Sequence, residues 1–263
     1  MNKKAALKVL LRAAVAIVFW LAVWMLISWR AGSELLFPDP IAVLKALFEL
    51  SLEADFWLTT LFSLLRVIIA ILISLILGTL LAVATEKFRV LNYILSPMIG
   101  VIKSTPVASF IILALLWISR DTLPVFITAL IVVPIVWSNV SEGIRSVDKD
   151  LVQVTQVYNF TAKQKILRLY VPSIAPFFMA ACKSSLGMAW KAGISAEVLS
   201  TPERAIGTEL YFSKTYLETP SLFAWTAVII ILSILIEKLF VLGLEKLGMR
   251  MRFFVKGDGN DKA

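Results

Sequence analysis

The chain has 263 residues, of which 59% are hydrophobic and 17% charged, with a formal net charge of +8. That composition excludes an ordinary soluble globular domain and describes one membrane domain over 1–263. The absence of histidine and the single cysteine, Cys182, exclude an intrachain disulfide and argue against a zinc, haem or iron–sulfur centre, so neither a metal site nor a catalytic residue is expected.

A helix needs about 20 apolar residues to cross a bilayer. Six segments qualify, at about 9–29, 58–85, 90–118, 122–140, 171–199 and 222–244. The first follows Lys3, Lys4 and Lys8, as a signal peptide would. Its apolar run is too long for one and no small-x-small cleavage site follows, so it reads as an uncleaved signal-anchor. The second carries Arg66 near its outer end, placed to snorkel to headgroups or to face an anion path. The third is interrupted at Lys103-Ser104-Thr105-Pro106, with Pro97 upstream. A polar break at membrane depth either is a plain proline kink or brings backbone groups to a solute path. The fourth holds Pro124 and Pro134, which neighbouring helices can accommodate.

Basic residues set the orientation. With both termini cytoplasmic, sixteen fall inside: Lys3, Lys4, Lys8, Arg12, Lys87, Arg89, Arg145, Lys149, Lys163, Lys165, Arg168, Lys246, Arg250, Arg252, Lys256 and Lys262. Five fall outside: Arg30, Lys45, Arg120, Arg204 and Lys214. This asymmetry explains the net charge without nucleic acid. It also places the polar insert between the fourth and fifth spans in the cytoplasm.

The insert, about 148–170, reads as helix–turn–helix. Asp148 caps a helix over about 149–158 that carries Leu151, Gln153 and Thr155. Asn159 suits a left-handed C-terminal turn. Thr161 and Gln164 match a capping box. The second helix carries Lys163, Lys165 and Arg168, and Pro172 marks its end.

The fifth span has two features. Ala181, Ser185, Ala189 and Gly193 form a small-residue ladder at spacing four, suited either to packing within one bundle or to a seam between two copies. Lys183, Gly187, Trp190, Ile194 and Glu197 form a stripe at helical spacing, with Lys191 nearby. Charges within a span are costly, so they face protein or a water-filled path. Segment 200–221 is too short and polar to span, and is expected to lie across the outer mouth as one or two short helices.

Several of these residues carry a resemblance. Gln153-Val154-Thr155, Asn159 and Leu169-Tyr170-Val171-Pro172 follow the E-A-A, G, I/L-x-L-P order, preceded by Arg145 to Leu151. Phe37-Pro38-Asp39-Pro40, Ser63-Leu64-Leu65-Arg66, Ser104-Thr105-Pro106 and Gly187 to Leu199 match as well. Over about 35–247 the chain resembles the permease subunit of bacterial ATP-binding-cassette importers, in the branch that serves nitrate, sulfonates and taurine. The resemblance implies an all-α inner-membrane protein with about six transmembrane helices, a second permease copy as a homodimer, and an extracytoplasmic solute-binding protein. It implies two ATPase subunits that dock on the insert through Asp148, Leu151, Gln153, Thr155, Asn159, Thr161, Lys163, Arg168 and Pro172. This chain has no phosphate-binding loop, so ATP and magnesium belong to those partners. Arg66, Lys103, Thr105, Pro106, Lys183, Gly187, Trp190, Lys191 and Glu197 are the candidates for the translocation path, and a small, possibly anionic solute is the implied cargo. Gln153 replaces a carboxylate of the family pattern, which removes any ion pair made there. The rival readings are an ion-coupled secondary transporter, for which Glu197 and Glu237 would have to serve as carboxylates, and a non-transporting scaffold.

Overall fold

The structure, a computed structural model, describes residues 3–257. Lys262 lies outside the described residues, and the side chains of Lys3, Lys4, Lys8, Lys246, Arg250, Arg252 and Lys256 lie outside the described side chains. The described residues form helices and no strand: α1 Lys3–Ala31, α2 Pro40–Leu52, α3 Ala54–Lys87, α4 Arg89–Ser104, α5 Val107–Ala114 and α6 Leu123–Arg145, then α7 Lys149–Val157, α8 Ala162–Lys165, α9 Val171–Ser200, α10 Ile206–Thr215 and α11 Thr219–Gly257.

Five helices are long and apolar enough to cross a membrane, or six if the bent pair α4 and α5 counts as one span. That pair turns through 104° at Thr105-Pro106. Proline removes the backbone bond there, and the hydroxyls of Ser104 and Thr105 both turn back onto the Val101 carbonyl, at 3.1 and 2.8 Å. At eight residues, α5 is only about 12 Å long, so it cannot cross alone.

The core is α6 packed against both α3 and α9. The buried face of α3 runs Thr60, Ser63, Val67, Ile71, Ser74, Gly78, Ala82 and Thr85, one helical stripe of mostly small residues. Such residues let helix backbones approach closely. A Cβ on Gly78 would stand 2.7 Å from Val136 Cβ on α6. The Trp137 indole reaches across and donates to Thr85 Oγ1 at 2.9 Å. Ala181, Ser185 and Ala189 on α9 are fully buried in this same core, and a Cβ on Gly193 would meet Val67 Cγ2 at 2.8 Å. The small-residue ladder is therefore used inside one chain, and it does not offer a free seam to a second copy.

In contrast, α1 buries no residue of its apolar window. It touches the rest of the chain mainly through Trp24, whose indole donates to the Pro38 carbonyl at 3.0 Å and whose ring packs near Phe37 and Phe223.

Between α6 and α9 the chain folds as its capping residues direct. The Asp148 carboxylate accepts from Asp150 N at 2.8 Å. Asn159 sits at φ 50, the Phe160 amide donates to the Thr155 carbonyl and the Asn159 amide donates to the Gln156 carbonyl, which together make a Schellman turn. Thr161 and Gln164 form the capping box.

Pro172 does not end the following helix, contrary to the sequence expectation. Residues 162–200 run on as one helix, because a π-helical turn at Ile166–Tyr170 widens the register ahead of the proline. The Val171 amide donates to the Ile166 carbonyl, and the Ser173 hydroxyl takes up the Leu169 carbonyl at 2.7 Å. These two bonds tie the turn before the proline to the helix that follows it.

Candidate functional site

The predicted path residues on α9 divide between buried and exposed positions. Glu197 is fully buried, and its carboxylate is held from three directions. Ser63 Oγ donates to Oε2 at 2.9 Å, the Gly207 amide donates to the same oxygen at 3.2 Å, and Arg66 Nη1 lies 3.5 Å from Oε1. The Arg66 guanidinium also donates to the Glu203 carbonyl at 2.6 Å and to the Arg204 carbonyl at 3.0 Å. Arg66 therefore neither snorkels nor stands free toward a solute. It ties α3 to α9 and to the 201–207 connection.

That connection is tightly specified. Thr201 and Arg204 adopt left-handed φ values of 46 and 47, the Glu203 amide donates to Asp121 Oδ1 at 3.0 Å, and the Ile206 amide donates to Ser63 Oγ at 2.9 Å. Gly207 lies so close to α9 that a Cβ would overlap Glu197 Cβ and the Val198 amide. We call this arrangement the latch. Trp190 and Ile194 are also buried, and the Trp190 indole donates to the Ile229 carbonyl on α11 at 3.2 Å.

Ser63, Asp121 and Gly207 complete the latch, and sequence reasoning gave none of them that role. Ser63 and Arg66 stand one turn apart on α3, which was a usable signal. Asp121 and Gly207 reach the site only through tertiary structure. Glu209, one turn into α10, is half-buried. Burial first, then the charges of Asp55, Glu53 and Glu218, raise its carboxyl above the ordinary range.

The other face of α9 is outward. Lys183, Ser184, Met188, Lys191, Ser195 and Leu199 are exposed, with Gly187 half-exposed among them. They follow helical spacing, so they form one stripe with two cations within a membrane span. Among the described residues neither lysine has an ion-pair partner. Lys103 and Pro106 are exposed at the α4–α5 break, with Thr105 half-exposed.

On the insert, Asp148, Leu151, Gln153, Asn159, Thr161, Lys163 and Arg168 are exposed, as are Val154, Val157 and Tyr158. Thr155 is buried, its hydroxyl donating to the Val152 carbonyl at 2.6 Å, and Pro172 is half-buried within the long helix. No group of three or more His, Cys, Asp or Glu side chains among the described residues could hold a metal ion.

Comparison with known proteins shows the family of the chain. The family model for binding-protein-dependent transport system inner membrane components matches residues 74–247. The nitrate import permease protein NrtB of Synechococcus elongatus is 28% identical over 208 residues, covering 75% of this chain and 74% of its own length. The taurine transport system permease protein TauC of Escherichia coli is 24% identical over 245 residues, covering 90% and 86%. An aliphatic sulfonates transport permease protein, SsuC, of Bacillus subtilis is 24% identical over 239 residues with the same coverage, 90% and 86%. A crystal structure of an amino acid ABC transporter with histidines shares the fold, with TM-score 0.57 and 17% identity over 70% of this chain and 90% of that one.

Proposed function

The chain belongs to the family of binding-protein-dependent transport system inner membrane components, and from that premise we propose how its surfaces divide the work. It is a multi-pass membrane permease subunit of an ATP-driven ABC importer. Importers of this family work with an ATPase and a solute-binding protein. Residues 1–263 act as one permease domain, paired with a second copy of the same chain and with two ATPase subunits that bind ATP and magnesium. The outward stripe of α9, from Lys183 through Gly187 and Lys191 to Ser195, lines the path. One observation carries this reading: two lysines without ion-pair partners face out of the protomer at membrane depth, where lipid would be a costly neighbour. A second copy that closes a wet path over them removes that cost. Lys103, Thr105 and Pro106 supply a broken helix beside it. Trp190, Arg66 and Glu197 support the path from within. The cations favour a small anionic solute, in keeping with the nitrate, taurine and sulfonate relatives.

The expected result in proteoliposomes holding the permease, its ATPase and the binding protein is solute uptake that requires all three. Lys183→Met or Lys191→Met lowers uptake by about ten- to a hundredfold, the scale of one lost charge-assisted contact of roughly 1.5–3 kcal/mol. Thermal stability stays as in the parent protein. Uptake without the ATPase or binding protein would point to an ion-coupled transporter, and full uptake by both variants would remove the stripe from the path.

The insert is the ATPase dock, with Leu151, Val154, Val157 and Tyr158 as its exposed apolar contacts and Lys163 and Arg168 beside them. Thr155 and Pro172 shape it from beneath. Both termini and this insert are cytoplasmic, so a cysteine at Asn159 reacts with an impermeant thiol reagent in inside-out vesicles and not in intact cells. Asn159→Val forces a β-branched residue into the left-handed turn at roughly 1–2 kcal/mol. We expect it to release the ATPase from the purified complex while Asn159→Gly retains it. Equal retention by both variants would detach the turn from docking.

A further inference from the structure

A cleft of about 450 Å³ opens where the turn after α5 meets the end of α9. One wall is Ile118, Ser119 and Arg120, and the other is Leu199, Ser200 and Thr201. We propose that this cleft is the outer mouth of the solute path and a loading site for a small anion, with Arg120 as its cation. The proposal rests on the permease reading above and adds a site and a residue to it.

Four observations carry it. The cleft is continuous with the path stripe, because Leu199 belongs to both: it lines the cleft and is the outermost exposed residue of the Lys183–Lys191–Ser195 face. Eight residues separate Lys183 from Lys191 and eight more reach Leu199, and each step rises about 12 Å and turns about 80°, so the exposed row winds around α9 toward the cleft. A solute released at the cleft thus finds its next cation one short step inward. Arg120 is exposed and has no ion-pair partner among the described residues. The adjacent carboxylate, Asp121, is engaged elsewhere by the Glu203 amide at 3.0 Å. Both walls are also built rather than loose. The Ser119 and Thr122 hydroxyls bond at 2.8 Å across the turn, and the Thr201 amide donates to the Glu197 carbonyl at 2.8 Å beside the latch.

The volume suits a small solute held with water. The carbonyl end of α9 faces the same cleft and opposes a negative charge. That opposition keeps binding weak, as a site that must pass its occupant on requires. An exposed cation beside Ser119 and Thr201 selects charge rather than shape, so the class of ligand is a small anion and not one particular solute.

The test uses the complete importer in proteoliposomes, with Leu199→Cys as reporter in a Cys182→Ser background and Tyr216→Cys as a reference outside the cleft. Each is labelled with a negatively and a positively charged methanethiosulfonate reagent. We expect Leu199→Cys to favour the negative reagent relative to the reference. Adding Arg120→Gln slows the negative reagent about fivefold, the effect of one unit charge near 4 Å in a watery site, and removes the preference. Arg120→Lys retains it, which separates charge from damage to the turn. Methanesulfonate or nitrate slows labelling by the negative reagent, and the same concentration of glycerol does not. A preference indifferent to Arg120→Gln, or labelling indifferent to both anions, overturns the loading site. The permease reading is scored separately, by binding-protein-dependent ATP turnover of the parent complex, so the two can fail independently.

Discussion

Glu197→Ala is expected to destabilise the protein by about 3–5 kcal/mol, the usual cost of removing one partner from a buried ion pair. The reason is the arrangement around the carboxylate. Glu197 is fully buried and receives Ser63, the Gly207 amide and Arg66, while Arg66 also holds the carbonyls of Glu203 and Arg204. Removing the carboxylate leaves the Arg66 charge without its counter-ion and the buried Gly207 amide without its acceptor, and it loosens the tie between α9 and α10. Glu197→Gln should lose less, because an amide oxygen still accepts from Ser63 or Gly207. The pair Arg66→Met with Glu197→Leu should recover much of the loss, since it removes both charges together. Thermal unfolding of the purified variants in one detergent checks the order: parent, then the double variant and Gln, then Ala. A melting temperature for Glu197→Ala equal to that of the parent would show that the latch contributes nothing to stability.

Gly207→Val should be comparably severe for a different reason. A Cβ at this position overlaps the Glu197 side chain and the Val198 backbone amide. Backbone cannot rotate away as a flexible side chain can, so α10 must lift from α9 and break the bond from the Gly207 amide to Glu197. Overpacking of this kind costs roughly 1–3 kcal/mol in a well-packed site, with the branched valine at the upper end and alanine below it. Gly100, whose added Cβ meets nothing, is the control, and Gly100→Ala should gain up to about 1 kcal/mol from helix propensity. Combining Gly207→Val with Glu197→Ala should cost less than the sum of the two, because both break the same contact. Full additivity, or a Gly207→Val protein as stable as the parent, would mean that the close approach of α10 to α9 is not fixed.

How much of this was legible in the sequence follows from the range of the forces involved. Apolar run lengths gave the membrane helices, because the bilayer sets the length of a span whatever the span packs against. Capping residues gave the turn at Asn159 and the boxes around it, because a cap is satisfied within four residues of itself. The break at Thr105-Pro106 was legible for the same local reason, though its 104° bend was not. At Pro172 a local rule failed: the sequence cannot show that a π-helical turn will carry the helix through the proline.

Which face of α9 looks inward was decided by tertiary structure alone. Helical spacing groups Lys183 with Glu197 on one stripe, and it says nothing about where the partner helices lie. Packing of α9 on α6 and α3 turns Trp190, Ile194 and Glu197 inward and leaves Lys183 and Lys191 outside. It also buries the Ala181–Gly193 ladder that spacing alone would equally have given to a second copy. The latch is the extreme case. Arg66 and Glu197 stand 131 positions apart, and Ser63 meets the Ile206 amide across 143, so only the folded bundle can bring them within bonding distance. Sequence determines where helices start, stop and tolerate lipid, because those are local balances of hydrogen bonding and burial. Which charges pair and which stay unpaired depends on helix rotation, and that is settled by the fit of Gly78, Gly193 and Gly207 against their neighbours.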